Sequence, residues 1–135
     1  MHSEHFSEAE LMCKCGCGTN GVQQSLLVVL ETFRGAVHQP VTLDSAYRCP
    51  AHNKAVGGVP DSEHVQGIAA DIRVPGMSAA QLYAVAQSIS EITGLGRADR
   101  QGYIHIDTRK LPARWCYNAG GAWVSWFPVP ATEVA

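Results

Sequence analysis

His64 and Asp71, separated by six residues in the stretch SEHVQGIAAD, could share one divalent metal ion. Gly67 permits a bend between them, and Ala69 and Ala70 leave room around an ion. A second histidine, His105, lies between two isoleucines in GYIHIDTR. Two imidazoles and one carboxylate form the ligand set of a catalytic zinc that keeps its fourth position for water. Each residue also has a plain structural reading. A lone loop histidine is usually no ligand, and a histidine within a strand is usually a satisfied core residue. Asp71 decides between the two, because an unpaired carboxylate in the apolar run IAADIRV would cost several kcal/mol and so needs a cation or an arginine beside it. Arg48 and Arg73 could serve, but one metal accounts for all three residues together. The expectation is a zinc hydrolase with one zinc per chain.

The elements that must position these ligands follow from periodicity. Ser7 and Glu10 form a capping box for a short first helix in the leading segment, residues 1–20. Apolar residues at Val22, Leu26, Val29, Leu30, Phe33 and Val37 recur at helical spacing and predict a helix over 22–37. Residues 41–47 alternate as a strand, and Pro50 opens a short helix closed by Gly57 and Gly58. In IAADIRV, Ile68, Ala70, Ile72 and Val74 share one face, which leaves Asp71 on the other. Ser78 caps a helix carrying Leu82, Val85, Ala86 and Ile89 on one stripe. Residues 92–97 read as a weak strand. GYIHIDTR is a stronger one, with Ile104 and Ile106 toward the core and Tyr103, His105 and Asp107 toward a cleft. The aromatic tail from Arg114 reads as a closing strand or loop, and residues 128–135 as frayed. The sum is one α+β domain over residues 1–135, a small antiparallel or mixed sheet with helices packed on one side.

Residues 62–71 resemble the S-x-H-x-x-G-x-A-x-D signature of the zinc D-Ala-D-Ala carboxypeptidases and phage L-alanyl-D-glutamate endolysins, every fixed position being present. The likeness extends to HFSEAEL, SAYRCPAHNKAVGG and GYIHIDTRKLPARW and is greatest for the short phage-type branch. It implies the fold shared with lysostaphin-type enzymes and the hedgehog signalling domain. It also implies zinc held by His64, Asp71 and His105, and hydrolysis of peptidoglycan stem peptides either between D-Ala and D-Ala or between L-Ala and D-Glu. Arg48 matches the arginine that holds a substrate carboxylate or the developing oxyanion, a task suited to a fixed fork of donors. A salt bridge from Arg48 to Asp44 or Asp71 is the structural alternative. Ser62 would contact substrate or orient a ligand, and Tyr47 is expected to pack. The chain departs from the carboxypeptidase pattern at the general base, where Gly102 stands three residues before the last histidine. Hedgehog-type members carry an acid six residues before it, which makes Asp99 the first choice, ahead of Asp107 and Glu63.

At 135 residues and a net charge of −2, the chain has no basic footprint for nucleic acid. Its longest apolar stretch, SLLVVL, is too short to span a membrane, and its N-terminus lacks the basic start and apolar block of a secretory signal. It is expected to be a monomer made in the cytoplasm that reaches the cell wall after release, as in phage lysis. Five cysteines leave at least one thiol unpaired in a monomer. Cys13, Cys15 and Cys17 in CKCGCG could join Cys49 or Cys116 in a second metal site, or one of the three could form a disulfide with Cys116. Reduced thiols are the expectation for an unexported protein. Two rival readings stand beside the hydrolase. One is a non-catalytic hedgehog-like zinc module that binds a protein or wall fragment, and the other is a redox or metal-sensing protein centred on CKCGCG. Trp115, Trp123 and Trp126 are expected to pack on the core, with a substrate wall or a dimer contact as alternatives.

Overall fold

A computed structural model of the chain describes residues 1–117 and the backbone of residues 123–126. The expected frayed tail, 128–135, and the side chains of Trp123 and Trp126 lie outside the described residues. The elements run α1 (Glu8–Leu11), α2 (Gln24–Val37), β1 (Thr42–Ser45), α3 (Pro50–Ala55), β2 (Ala69–Arg73), α4 (Ala79–Gln87), β3 (Gly94–Ala98), β4 (Tyr103–Asp107), β5 (Ala113–Tyr117) and β6 (Trp123–Trp126). The strands form one mixed sheet in the order β1-β2-β4-β3-β5-β6, in which only the β3/β5 pairing is parallel.

Local chemistry starts each helix. Ser7 and Glu10 close the anticipated capping box on α1, and Ser78 with Gln81 forms a second on α4. Each satisfies two backbone donors that the first turn would leave free. Cys49 caps α3, its sulfur accepting from the His52 amide, and Pro50 occupies the first helical position, where its missing N–H costs nothing. Helix α2 ends at His38, which takes a left-handed conformation with φ 56°.

The sheet's two faces divide structure from chemistry. On one, Ala70 and Ile72 of β2, Leu95 of β3, and Ile104 and Ile106 of β4 pack with Leu26, Leu30 and Phe33 of α2 and Leu82 and Ala86 of α4. All these side chains are fully buried. At about 25 cal/mol per Å² of apolar surface removed from water, this face supplies the main drive to fold. The period-2 alternation then sends Asp71 and His105 to the opposite face, above which α3 and the 56–64 connection build a rim.

Two glycines of β3 make the second face usable. A Cβ on Gly94 would lie 2.0 Å from the Asp107 carboxylate, and one on Gly96 would lie 2.4 Å from the Trp115 indole. A side chain at either position would expel a neighbour of His105. The glycine content made this strand look weak in sequence, yet pairing on both edges, to β4 and β5, fixes it. Gly67 has a different role. With φ +77° and a would-be Cβ 1.9 Å from the Gly21 carbonyl, it lets the signature loop lie directly on the chain entering α2. Its carbonyl accepts from the Gln23 amide at 2.8 Å.

Candidate active site

Strands β2 and β4 pair antiparallel with Asp71 opposite His105. This register places the two side chains next to each other on the cleft face, and the loop before β2 brings in His64. The His64 Nε2 lies 3.4 Å from Asp71 Oδ2, and the His105 Nδ1 lies 3.1 Å from Asp71 Oδ1. One ligand atom from each of the three residues lies within 4.8 Å of the other two. Donors bound tetrahedrally at about 2.0–2.1 Å are roughly 3.3 Å apart, so the set fits zinc without rearrangement of the strands.

Both imidazoles are held from behind. His64 Nδ1 donates to the Ala46 carbonyl at 2.8 Å, and its amide donates to Ser62 Oγ at 3.2 Å. His105 Nε2 donates to Asp107 Oδ2 at 2.7 Å. Asp107 is completely buried and receives Arg109 through both Nε and Nη2, and Arg109 Nη2 also reaches Glu63 at 3.2 Å. These bonds leave one nitrogen of each ring aimed at Asp71, the arrangement by which buried partners fix a metal-binding imidazole. The His105 ring also lies 5.1 Å from Trp115, over which the Arg109 guanidinium stacks at 4.8 Å.

The charges are strongly coupled. Burial disfavours the His105 imidazolium, but the carboxylates of Asp107 and Asp71 outweigh it and push His105 up to about 9. Burial likewise opposes ionised Asp71, yet His64 and His105 hold it far below the usual carboxylate range. The proton held on His105 offsets the charge of Asp71 and Asp107, a role a divalent cation would take over. Tyr103, pushed up to about 12 by burial and by Asp71, stays a phenol and a hydrogen-bond donor across the neutral range.

A cleft of about 880 Å³ opens over this centre, lined among others by Arg48, Ser62, Glu63, Tyr103, Trp115 and Tyr117. The Arg48 Nε is buried with no hydrogen-bond partner. Among the described residues no carboxylate pairs with Arg48, since Asp44 is taken by Arg73 and Asp71 by the two histidines. The salt bridge weighed for Arg48 in sequence is therefore not formed. A fork of donors left open in a cleft is a ready site for a carboxylate or an oxyanion.

The sequence matches the family Peptidase M15 over residues 4–107, which includes His64, Asp71 and His105. The chain belongs to the peptidase M15 family. That membership makes it a metallopeptidase of a zinc-dependent family acting on peptidoglycan, and His64, Asp71 and His105 form a cluster that could hold a metal ion. No curated protein matches this M15 peptidase.

The remaining expected site residues divide clearly. Ser62 is buried beneath His64, orienting its backbone, and Glu63 stands in the cleft wall. Asp99, the first choice for the general base, is not brought to the cleft. It is ion-paired to Arg97 at 3.0 Å with 60% of its side chain exposed. Arg97 stacks at 5.2 Å on Tyr83 of α4, so it belongs to the helix-covered side of the sheet and draws Asp99 there. Asp107, the second choice, is enclosed by His105 and Arg109. Tyr47 packs its ring against Gly21. Trp115 both packs and walls the cleft. Arg109 was missed in sequence, although H-x-D-x-R on one strand face, positions 105, 107 and 109, is a signal that could have found it. Among the described residues no helix is long and apolar enough to cross a membrane.

Proposed function

We propose that the chain hydrolyses peptidoglycan stem peptides, as a D-Ala-D-Ala carboxypeptidase or an L-Ala-D-Glu endopeptidase. The observation that carries the reading is the unpaired Arg48 fork on the same cleft as the His64–Asp71–His105 cluster. A zinc ion held there supplies an acidified water and a Lewis acid for the scissile carbonyl. Arg48 binds a free carboxylate of the stem peptide, and so selects which bond lies over the ligand cluster. Tyr103, a phenol at working pH, donates to the oxygen on which negative charge develops. Trp115 and Tyr117 give the peptide backbone an apolar wall, and Asp107 with Arg109 keeps the His105 ring from turning.

The base is a cleft carboxylate that can take a proton and return it to the leaving amine. Asp44 is doubly held by Arg73, and Asp107 is buried, whereas Glu63 lines the cleft with one hydrogen bond from Arg109. Glu63 therefore replaces Asp99 as the favoured base. Release to the wall by cell lysis is the corresponding route to substrate.

Hydrolysis of purified muropeptides by zinc-loaded protein, followed by chromatography and mass spectrometry, tests the reading and names the bond. Glu63→Gln should lower kcat by about 100-fold or more, the range for removal of a general base, while zinc stays bound. Asp99→Asn should leave kcat within about twofold, and Arg48→Ala should mainly raise KM. Zinc binding without cleavage of any muropeptide would sink the proposal and favour the hedgehog-like binding module, a reading the outward turn of Asp99 supports.

A further inference from the structure

The four thiols of CKCGCG and the α3 cap form a cluster that the catalytic cleft does not use. Cys13 Sγ lies 3.4 Å from Cys15 Sγ, and Cys15 Sγ lies 3.7 Å from Cys49 Sγ. With Cys17, one sulfur from each of the four residues falls within 4.8 Å of the other three. Cys116, the other partner weighed in sequence, stands on β5 outside this group, and all five cysteines are free thiols.

We propose that Cys13, Cys15, Cys17 and Cys49 bind a second, structural zinc ion, which ties the leading segment to the loop carrying Arg48. Four thiolates at about 2.3 Å from a tetrahedral zinc stand roughly 3.8 Å apart, close to the separations seen and far from the roughly 2.05 Å of a disulfide. The backbone is already shaped for the task. Gly16 and Gly18 take φ +87° and +77° with nothing within 4 Å of a would-be Cβ, so backbone conformation and not crowding makes glycine necessary there. Two left-handed residues alternating with the cysteines wrap Cys13, Cys15 and Cys17 around one point. Amides then donate to the sulfurs, Cys49 N–H to Cys13 Sγ at 3.3 Å and His52 N–H to Cys49 Sγ at 3.4 Å, which offsets thiolate charge as outer partners do in metal sites.

Four cysteines leave no open position for water, so this ion would be structural and not catalytic. The sulfur set selects zinc over hard cations. Its place in the fold gives the ion a function. Cys49 directly follows Ala46, Tyr47 and Arg48, whose carbonyl, amide and guanidinium respectively hold His64, bond the Leu11 carbonyl at 3.2 Å and line the cleft. The second zinc thus braces the substrate-binding arginine from outside the cleft.

Metal analysis of the reduced 135-residue chain, with cobalt substitution, tests this independently of the peptidase reading. Wild type should bind two zinc ions, and His105→Ala and Cys15→Ser/Cys17→Ser one each. Both of these cysteines are exposed, so the double variant spares the core. Cobalt-loaded wild type and His105→Ala should show intense near-ultraviolet sulfur-to-cobalt charge transfer, lost in the double variant. Amide exchange at residues 46–49 should quicken in the double variant. A single ion that His105→Ala removes and the double variant keeps would overturn the second site, as would folded wild type without thiolate charge transfer. A single ion kept by His105→Ala with the charge-transfer band would uphold it and would instead count against the catalytic centre.

Discussion

Asp107 never reaches the cleft, yet it governs what His105 can do there. Its carboxylate accepts a hydrogen bond from His105 Nε2 and is itself pinned by Arg109. Asp107→Asn keeps the volume and removes the charge, so zinc affinity should fall 10- to 100-fold, the usual loss for an outer partner of a metal-bound histidine. Chelator competition on folded protein measures it, and unchanged affinity would show that Asp107 serves only the fold. The same ring sets a pH dependence. In metal-free protein the raised folded value, about 9, keeps His105 protonated at neutral pH, and an incoming ion must expel that proton. Affinity should therefore weaken about tenfold for each unit of acidification below 9, and flatten above it. Titration calorimetry in buffers of different ionisation heat should show proton release on binding at pH 7.

At the scale of elements, the N-terminal segment is sewn to α2 by one carboxylate. Glu31 accepts from Ser3 Oγ at 2.6 Å and from the His5 amide at 2.8 Å, and meets His5 Nδ1 at 2.6 Å. Burial opposes its charge, but these partners win and hold Glu31 below its ordinary value. A depressed folded value means that the stabilisation is present above the unfolded pKa and disappears as pH falls through the folded one. Glu31→Gln should cost about 1 kcal/mol at pH 7 in urea denaturation and less at a pH below the folded value. A penalty of equal size at both pH values would contradict this linkage. Elements also explain what could be read beforehand. His64 and Asp71 sit in one short motif, and the apolar neighbours of His105 declare its strand, so the cluster of these three residues was legible. Asp99 was misplaced because sequence spacing does not say which face of the β3–β4 turn a side chain takes, and Arg97 settles that in three dimensions. The link from Asp107 through Arg109 to Glu63 joins residues 46 positions apart and exists only once the sheet has closed.

For the molecule as a whole, the sheet is a partition with apolar packing on one side and ionisable groups on the other. The packed side needs no metal, so the chain stripped of zinc should keep its helices and sheet and lose stability only in proportion to occupancy. A site at a hundredfold excess of zinc over Kd contributes about 2.7 kcal/mol, so removing zinc should lower Tm by on the order of 10 °C while far-ultraviolet circular dichroism is retained. Loss of the secondary-structure signal at 25 °C on chelation would mean that the core depends on the ion. The α+β class and mixed sheet were foreseeable from alternating periodicities, whereas the strand order was not, because β3 pairs with β4 and β5 through glycines that carry no pattern. The spacing of the ligands along the chain also bears on synthesis. His105 follows Asp71 by 34 residues and meets it only through the β2/β4 pairing. A growing polypeptide that has just emerged through Asp71 therefore holds two ligands and no hydrolytic centre. Activity arrives late, with strand β4 and its His105, so a nascent chain that stops short of this strand is no working fragment of the peptidase.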